Sequence, residues 1–256
     1  MSNKDLISLL RSGKQTPVKV VFNNIRTKQE LAEKVGEQIE AQPSSLLNLM
    51  NDPDYVNNIG FSTEDILSMF LPDTYEFYWN TSTEKLRNQF AKEYYRFWHE
   101  ERKAKAALQG LTPIEVSILA SIVQKETAKV SERPRVAQVY LNRLKKGMLL
   151  QADPTVIYAY KKETDDFTQV IKRVVNKHLI TDSPYNTYKY GGLPPGPIFM
   201  PDVNAVEAVL NPEQHDFLYF CASVTNFGYH EFATTLEQHN VNARKYIAWL
   251  TNQTAP

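Results

Sequence analysis

The chain has 256 residues, 42% hydrophobic and 23% charged, which is enough apolar material for one or two globular domains. Its 29 Lys and Arg balance 29 Asp and Glu, so no general field draws it to nucleic acid and no nucleic-acid partner is expected. A single cysteine, Cys221, excludes an intrachain disulfide and a cysteine-built metal site.

In chain order, Ser2 reads as the N-cap of an amphipathic helix carrying Leu6, Leu9 and Leu10. No leader opens the chain, and no apolar run approaches the ~20 residues that span a bilayer. So abrupt a start suggests a soluble piece whose targeting segment was left off. VKVVF (18–22) reads as a strand. Thr27 and Glu30 form a capping box for a helix through Leu31, Val35 and Ile39, and Pro43 starts a second with Leu46, Leu47, Leu49 and Met50. Residues 1–62 thus read as a small α+β unit suited to docking or carbohydrate binding. The alternation of Tyr75, Phe77 and Trp79 in FLPDTYEFYWNTST (70–83) predicts a strand entering a second domain, and 83–108 a long helix with a solvated charged face.

The best-marked helix follows, with Thr112 as N-cap, Pro113 at the first position and Glu115 closing a capping box. Ser131 caps the next, with Pro134 in its first turn, Val136, Val139, Tyr140 and Leu144 as its stripe and Gly147 ending it. LLQADPTVIYAY is loop then helix. The Pro- and Gly-rich stretch SPYNTYKYGGLPPGPIFMP reads as an ordered surface loop. VNAVEAVL is a short helix. FLYFCASV is a buried strand in which Cys221 acts as a small hydrophobe, joined through TNFGY to a second strand, GYHEFATT, before a helical C-terminus. The fold class is α+β.

One residue breaks the helical pattern. At about 100° per residue, Ile118, Leu119, Ile122 and Val123 of ILASIVQKETA share a stripe, and Glu126 falls within it, while Ser117, Ser121, Gln124 and Lys125 take the opposite side. A carboxylate on an apolar stripe is either paired, with Arg143 as candidate, or at the wet end of the stripe, or held protonated by desolvation as a general acid requires. The five histidines form no HxH or HExxH pattern, and no serine-nucleophile elbow or phosphate-binding glycine loop is present, so no metal or cofactor is expected. Abundant Tyr, Phe and Trp suit sugar rings and peptides as well as a core.

The blocks ASIVQKET, SERPRVAQVYLNRLKKGMLLQADPTVIY, YNTY and GGLPPGPI, in this order and spacing, are similar to those of the MltG/YceG-type endolytic murein transglycosylases. LPDTYEF matches the block that precedes that family's catalytic core, and VKVV to about residue 60 resembles its LysM-like subdomain. The resemblance implies a partial LysM-like subdomain at 1–62 and a mainly helical catalytic domain with β-hairpins at 63–256, of which 63–108 is the strand and linking helix. It implies cleavage of the β-1,4 bond between N-acetylmuramic acid and N-acetylglucosamine with a 1,6-anhydro end, and Glu126 as catalytic acid. Many members carry Glu two positions earlier, where this chain has Gln124, so Glu126 is the sole acid of its block. One residue then serves as acid toward the leaving oxygen and as base toward the muramoyl 6-hydroxyl. Candidate substrate contacts are Asn142 and Arg143 on the next helix, Gln151 and Asp153 on the loop after it, and Asn186 and Tyr188 of YNTY; Asp153 serves equally as a helix cap, Arg143 as an ion-pair partner and Tyr185 as core. The resemblance also implies an N-terminal anchor in the inner membrane, absent here, a periplasmic location, glycan strands as substrate and penicillin-binding synthases as partners. Two other readings stand beside it: a non-catalytic peptidoglycan-binding scaffold and a hydrolysing muramidase.

Overall fold

The computed structural model describes residues 2–13 and 15–254, and the side chains of Leu9 and Leu10, expected on the first helix's stripe, lie outside what it describes. Helix α1 (Asn3–Ser12) is capped as expected: the Asp5 amide donates to Ser2 Oγ at 3.2 Å. Strand β1 (Val18–Phe22) alternates cleanly, Val20 and Phe22 buried, Lys19 and Val21 exposed. Helices α2 (Lys28–Gly36), α3 (Pro43–Asn51) and α4 (Pro53–Asn58) follow. At α2 the Glu30 amide donates to Thr27 Oγ1, but the Glu30 carboxylate accepts from the Arg26 amide, one residue before the cap, so the box is only half made.

Strand β2 (Asp73–Phe77) pairs antiparallel with β1, Val20 opposite Tyr75. It therefore closes the sheet of the N-terminal unit instead of entering a second one. The reason is its aromatic face: Tyr75 and Phe77 join Phe22 and Phe70 around Phe90 of α5 (Thr83–Phe97), with ring centroids 4.9–5.7 Å from it. Trp79, beyond the strand, is exposed. The long helix expected over 83–108 is two, because the chain bends at Trp98–His99, buries the Trp98 indole and restarts as α6 (Glu100–Leu108).

Helix α7 (Pro113–Glu126) is the axis of the second half, and Thr112 and Glu115 form the reciprocal cap. Residues 116–123 are buried all round, so of the expected polar side only Lys125, in the last turn, is exposed to water. Ser117 Oγ donates to the Pro113 carbonyl and Ser121 Oγ to that of Ile118, which lets both hydroxyls lie in the core. A 3₁₀ turn (Val130–Glu132) precedes α8 (Arg133–Lys145), so Ser131 lies in that turn and does not cap; Pro134 and Gly147, at φ +65°, act as expected. Helices α9 (Asp153–Glu163) and α11 (Val203–Leu210) pack on α7, with α10 (Asn176–Leu179) between them in sequence. Strands β3 (Tyr219–Ala222) and β4 (His230–Ala233) form an antiparallel hairpin, backed by α12 (Leu236–Thr254), and Cys221 on it is half-buried rather than core.

The Pro- and Gly-rich loop is ordered but not superficial: Pro194 and residues 196–201 are buried. Prolines bring no N–H that must be satisfied, which suits a loop to the interior. It ties the halves together. The Met200 amide donates to the Ile25 carbonyl at 2.8 Å, and a Cβ on Gly196 would collide with the Glu64 carbonyl. One continuous hydrophobic cluster accordingly runs from Val20 to Leu210. No single described helix is long and apolar enough to cross a membrane.

Candidate active site

The last turn of α7 delivers Glu126 to a cleft of about 280 Å³. Around the carboxyl stand Tyr140 and Arg143 from α8, Gln151 and Asp153 at the start of α9, Tyr188 from the loop, and the face of β3–β4 with Phe220 and His230. The Tyr140 hydroxyl donates to Glu126 Oε1 at 2.6 Å. Tyr140 is itself fixed by burial and by an edge-on contact with Phe220, whose ring meets His230 the same way at 5.1 Å.

Burial pushes the Glu126 carboxyl up to about 7, the Tyr140 hydrogen bond holds it from rising further, and the charge of Asp153 adds to the rise. Its place at a helix C-terminus works in the same direction, since the unpaired carbonyls there repel an anion. Arg143 lowers it through its charge alone and is not bonded to it. Its Nε donates to the Leu218 carbonyl at 2.6 Å and its Nη1 to those of Leu149 and Leu150, so it buttresses the cleft and forms no ion pair among the described residues.

The remaining expected contacts divide. Asp153 and Tyr188 are in the cleft and bonded to each other, Tyr188 Oη donating at 2.6 Å, while the N-cap of α9 is Ala152 and Asp153 makes no capping bond. Gln151, held at φ +49°, lines the same wall, and its amide donates to the Thr187 carbonyl. Asn186 and Asn142 are elsewhere. The Asn186 amide is fully buried and donates to the carbonyls of Leu179 and Thr181. The Asn142 amide donates to those of His215 and Phe217. Both carboxamides satisfy loop carbonyls that burial would leave unpaired, and neither lines the cleft. Gln124 also faces away, accepting from the Asp202 amide. Tyr185 is core, its hydroxyl donating to Glu64.

Sequence reasoning missed Tyr140, counted only as stripe, and His230, dismissed for want of a metal partner. The His230 amide donates to Glu132 Oε1 at 2.7 Å and its ring Nδ1 lies 2.8 Å from Glu132 Oε2, a buried carboxylate that fixes the imidazole in the cleft wall. The signal for Tyr140 was its place on the α8 face that carries Arg143, opposite the end of α7.

A helical domain presenting a protonatable glutamate, with Asp153 on the same wall and Tyr140, Tyr188 and Phe220 beside it, has the side chains that general acid chemistry on a sugar chain requires. The chain belongs to the YceG-like family, whose model matches residues 1–245. It is 37% identical over 198 residues to an endolytic murein transglycosylase of Bacillus subtilis, a match covering 77% of this chain and 45% of that protein. It is 36% identical over 139 residues to the enzyme of the same name from Streptococcus pneumoniae, covering 54% of this chain and 25% of the other. The chain thus spans under half of the length of these relatives. A crystal structure of a yceG-like protein from Listeria monocytogenes superimposes with a TM-score of 0.71 at 30% identity, over 94% of this chain and 81% of that one.

Proposed function

We propose that the chain is the catalytic part of an endolytic lytic transglycosylase acting on peptidoglycan. The observation that carries this is Glu126, a carboxyl titrating at about 7 with no cation bound to it and an open cleft before it. That rise keeps the protonated form, the state that donates to a glycosidic oxygen, within reach near neutral pH. Once Glu126 has done so, its carboxylate takes the proton of the muramoyl 6-hydroxyl as that oxygen closes on C1, giving a 1,6-anhydro end. Tyr140 holds the acceptor oxygen in place through both steps. Because the nucleophile is internal to the sugar, no second protein carboxylate is required to attack. The bond cut is the β-1,4 linkage between N-acetylmuramic acid and N-acetylglucosamine, with Gln151, Asp153 and Tyr188 as sugar contacts.

The same reading assigns the N-terminal unit as LysM-like, assigns the protein to the outer face of the inner membrane through an anchor N-terminal to this segment, and gives it cell-wall synthases as partners. One feature favours a second reading, hydrolysis: Asp153 lines the same cleft, as the second carboxylate of a muramidase would. Digestion of purified glycan strands, with mass analysis of the new ends, separates the readings. Anhydro ends that vanish with Glu126→Gln are expected. Ends heavier by one water establish a muramidase, and strands left uncut by the wild-type chain leave a peptidoglycan-binding scaffold.

A further inference from the structure

A second cavity backs onto the first across the facing ends of α7 and α9. It holds about 230 Å³, with an apolar lining that includes Ile157, Tyr158 and Phe199, and with Arg26, Lys125 and Lys161 at its walls. Arg26 is already engaged, bound to Glu30 at 3.0 Å and to the Phe167 carbonyl. Lys125 and Lys161 are not: among the described residues neither forms an ion pair, and Lys125 Nζ sits over the Phe199 ring at 3.4 Å. The acids that act on them from further off are themselves engaged, Glu30 by Arg26 and Asp166 by the Thr168 hydroxyl. Burial and then the proximity of like charge hold both lysines below their ordinary range. An anion entering the cavity would relieve that crowding.

Two sequence adjacencies tie this cavity to the cleft. Lys125 lines one and Glu126 the other, and likewise Pro154 and Asp153. Neighbouring Cα atoms are about 3.8 Å apart, and successive helical side chains diverge by about 100°, so one ridge separates the two spaces. We propose that the Lys125–Lys161 cavity is a subsite for a carboxylate-bearing peptide attached to the glycan, its carboxylate between the two ammoniums and its aliphatic part against Ile157, Tyr158 and Phe199. The proposal rests on the peptidoglycan reading, in which each muramoyl lactyl group offers such a peptide. A chain of a few residues at about 3.3–3.6 Å each clears the ridge. The largely apolar floor suits a peptide better than a bare phosphate.

Two measurements test it. In the first, the free stem tetrapeptide is titrated calorimetrically into Glu126→Gln, alone and with Lys161→Gln added. Binding that weakens about tenfold in the double variant, and recovers with Lys161→Arg, is expected. Absence of binding, or equal binding by all three, overturns the subsite whatever the catalytic outcome. In the second, the ratio of kcat/KM on peptide-bearing strands to that on amidase-stripped strands is compared for wild type, Lys161→Gln and Lys125→Gln, each checked for an unchanged melting profile. A ratio lowered about tenfold in the variants supports the proposal, and a ratio equal to that of wild type overturns it. A wild-type chain that cuts neither strand defeats the transglycosylase reading, and the titration then decides the subsite alone.

Discussion

Two glutamates among the described residues accept a hydrogen bond from a tyrosine, and they titrate in opposite directions. Glu126 accepts from Tyr140 at 2.6 Å and Glu64 from Tyr185 at 2.7 Å. Burial raises both. At Glu64 the ammonium of Lys162, 2.5 Å away, together with the Tyr185 bond and the charge of Lys28, outweighs burial and brings the group below its ordinary range. At Glu126 no cation is bonded to the carboxyl and Arg143 acts through its charge alone, so the group rises to about 7. The guanidinium that could have played the part of Lys162, that of Arg143, is turned to backbone carbonyls. A tyrosine alone orients a carboxyl; a withheld cation makes it an acid.

The largest expected effect comes from removing the acid. Glu126→Gln keeps the shape of the side chain and loses the transferable proton, and kcat on glycan strands should fall by about 10³-fold. Retention of more than a tenth of wild-type turnover would take Glu126 out of the reaction. The pH profile sharpens the point: wild-type kcat/KM should decline above about pH 7 as the proton is lost.

The same substitution should stabilise the fold. The folded Glu126 titrates at about 7 against an ordinary 4.5, so its favourable protonated state is intact below pH 4.5 and is lost as pH rises through 7. That shift corresponds to at most about 3 kcal/mol, less where cleft water screens the charge. Glu126→Gln should therefore exceed wild type by about 1–3 kcal/mol in urea unfolding at pH 8, and by almost nothing at pH 4. An advantage independent of pH would mean that the carboxyl is not strained by its surroundings.

Much of this was legible in the sequence, and the gaps have physical reasons. Glu126 stood out because a helix's period is local: eight residues of α7 fix which way the ninth points. Thr112–Glu115 and the TNFGY hairpin were readable for the same reason. Tyr140, His230 and the fate of Arg143 were not, since each depends on which helix end or loop carbonyl lies opposite once the chain has folded. Asn142 and Asn186 show the converse failure: an amide beside catalytic blocks reads as a ligand contact, yet the unpaired carbonyls of His215, Phe217, Leu179 and Thr181 take both. The buried proline loop misled because turn chemistry signals a loop without saying whether protein or water covers it.

Tyr140→Phe tests the orienting half of the comparison. It removes the one hydrogen bond that favours the ionised form of Glu126, so the alkaline limb of the rate profile should move to higher pH, by about half a unit to one unit. With the acceptor oxygen no longer held, kcat at pH 6 should drop about tenfold. A lower kcat with an unmoved limb would mean that the ring packs against the carboxyl without tuning it.

The smallest effect is expected at the other pair, and it should appear in stability alone. Glu64→Gln removes the partner of Lys162 and weakens the bond from Tyr185, beside the point where Gly196 meets the Glu64 carbonyl. The Glu64 side chain is 44% exposed, so solvent screens the ion pair and the loss should be no more than about 1 kcal/mol. Its folded pKa lies below the ordinary value, so the contribution is present above the ordinary carboxylate range and fades as pH falls through the folded pKa. The two glutamines should therefore diverge with pH: at pH 8 Glu64→Gln lies below wild type and Glu126→Gln above it, and in acid both approach it. Were Glu64→Gln instead to cut turnover as deeply as Glu126→Gln, the strut between the halves would be part of the reaction's geometry, and the contrast between a paired carboxyl and a solitary one would no longer explain which of them is the acid.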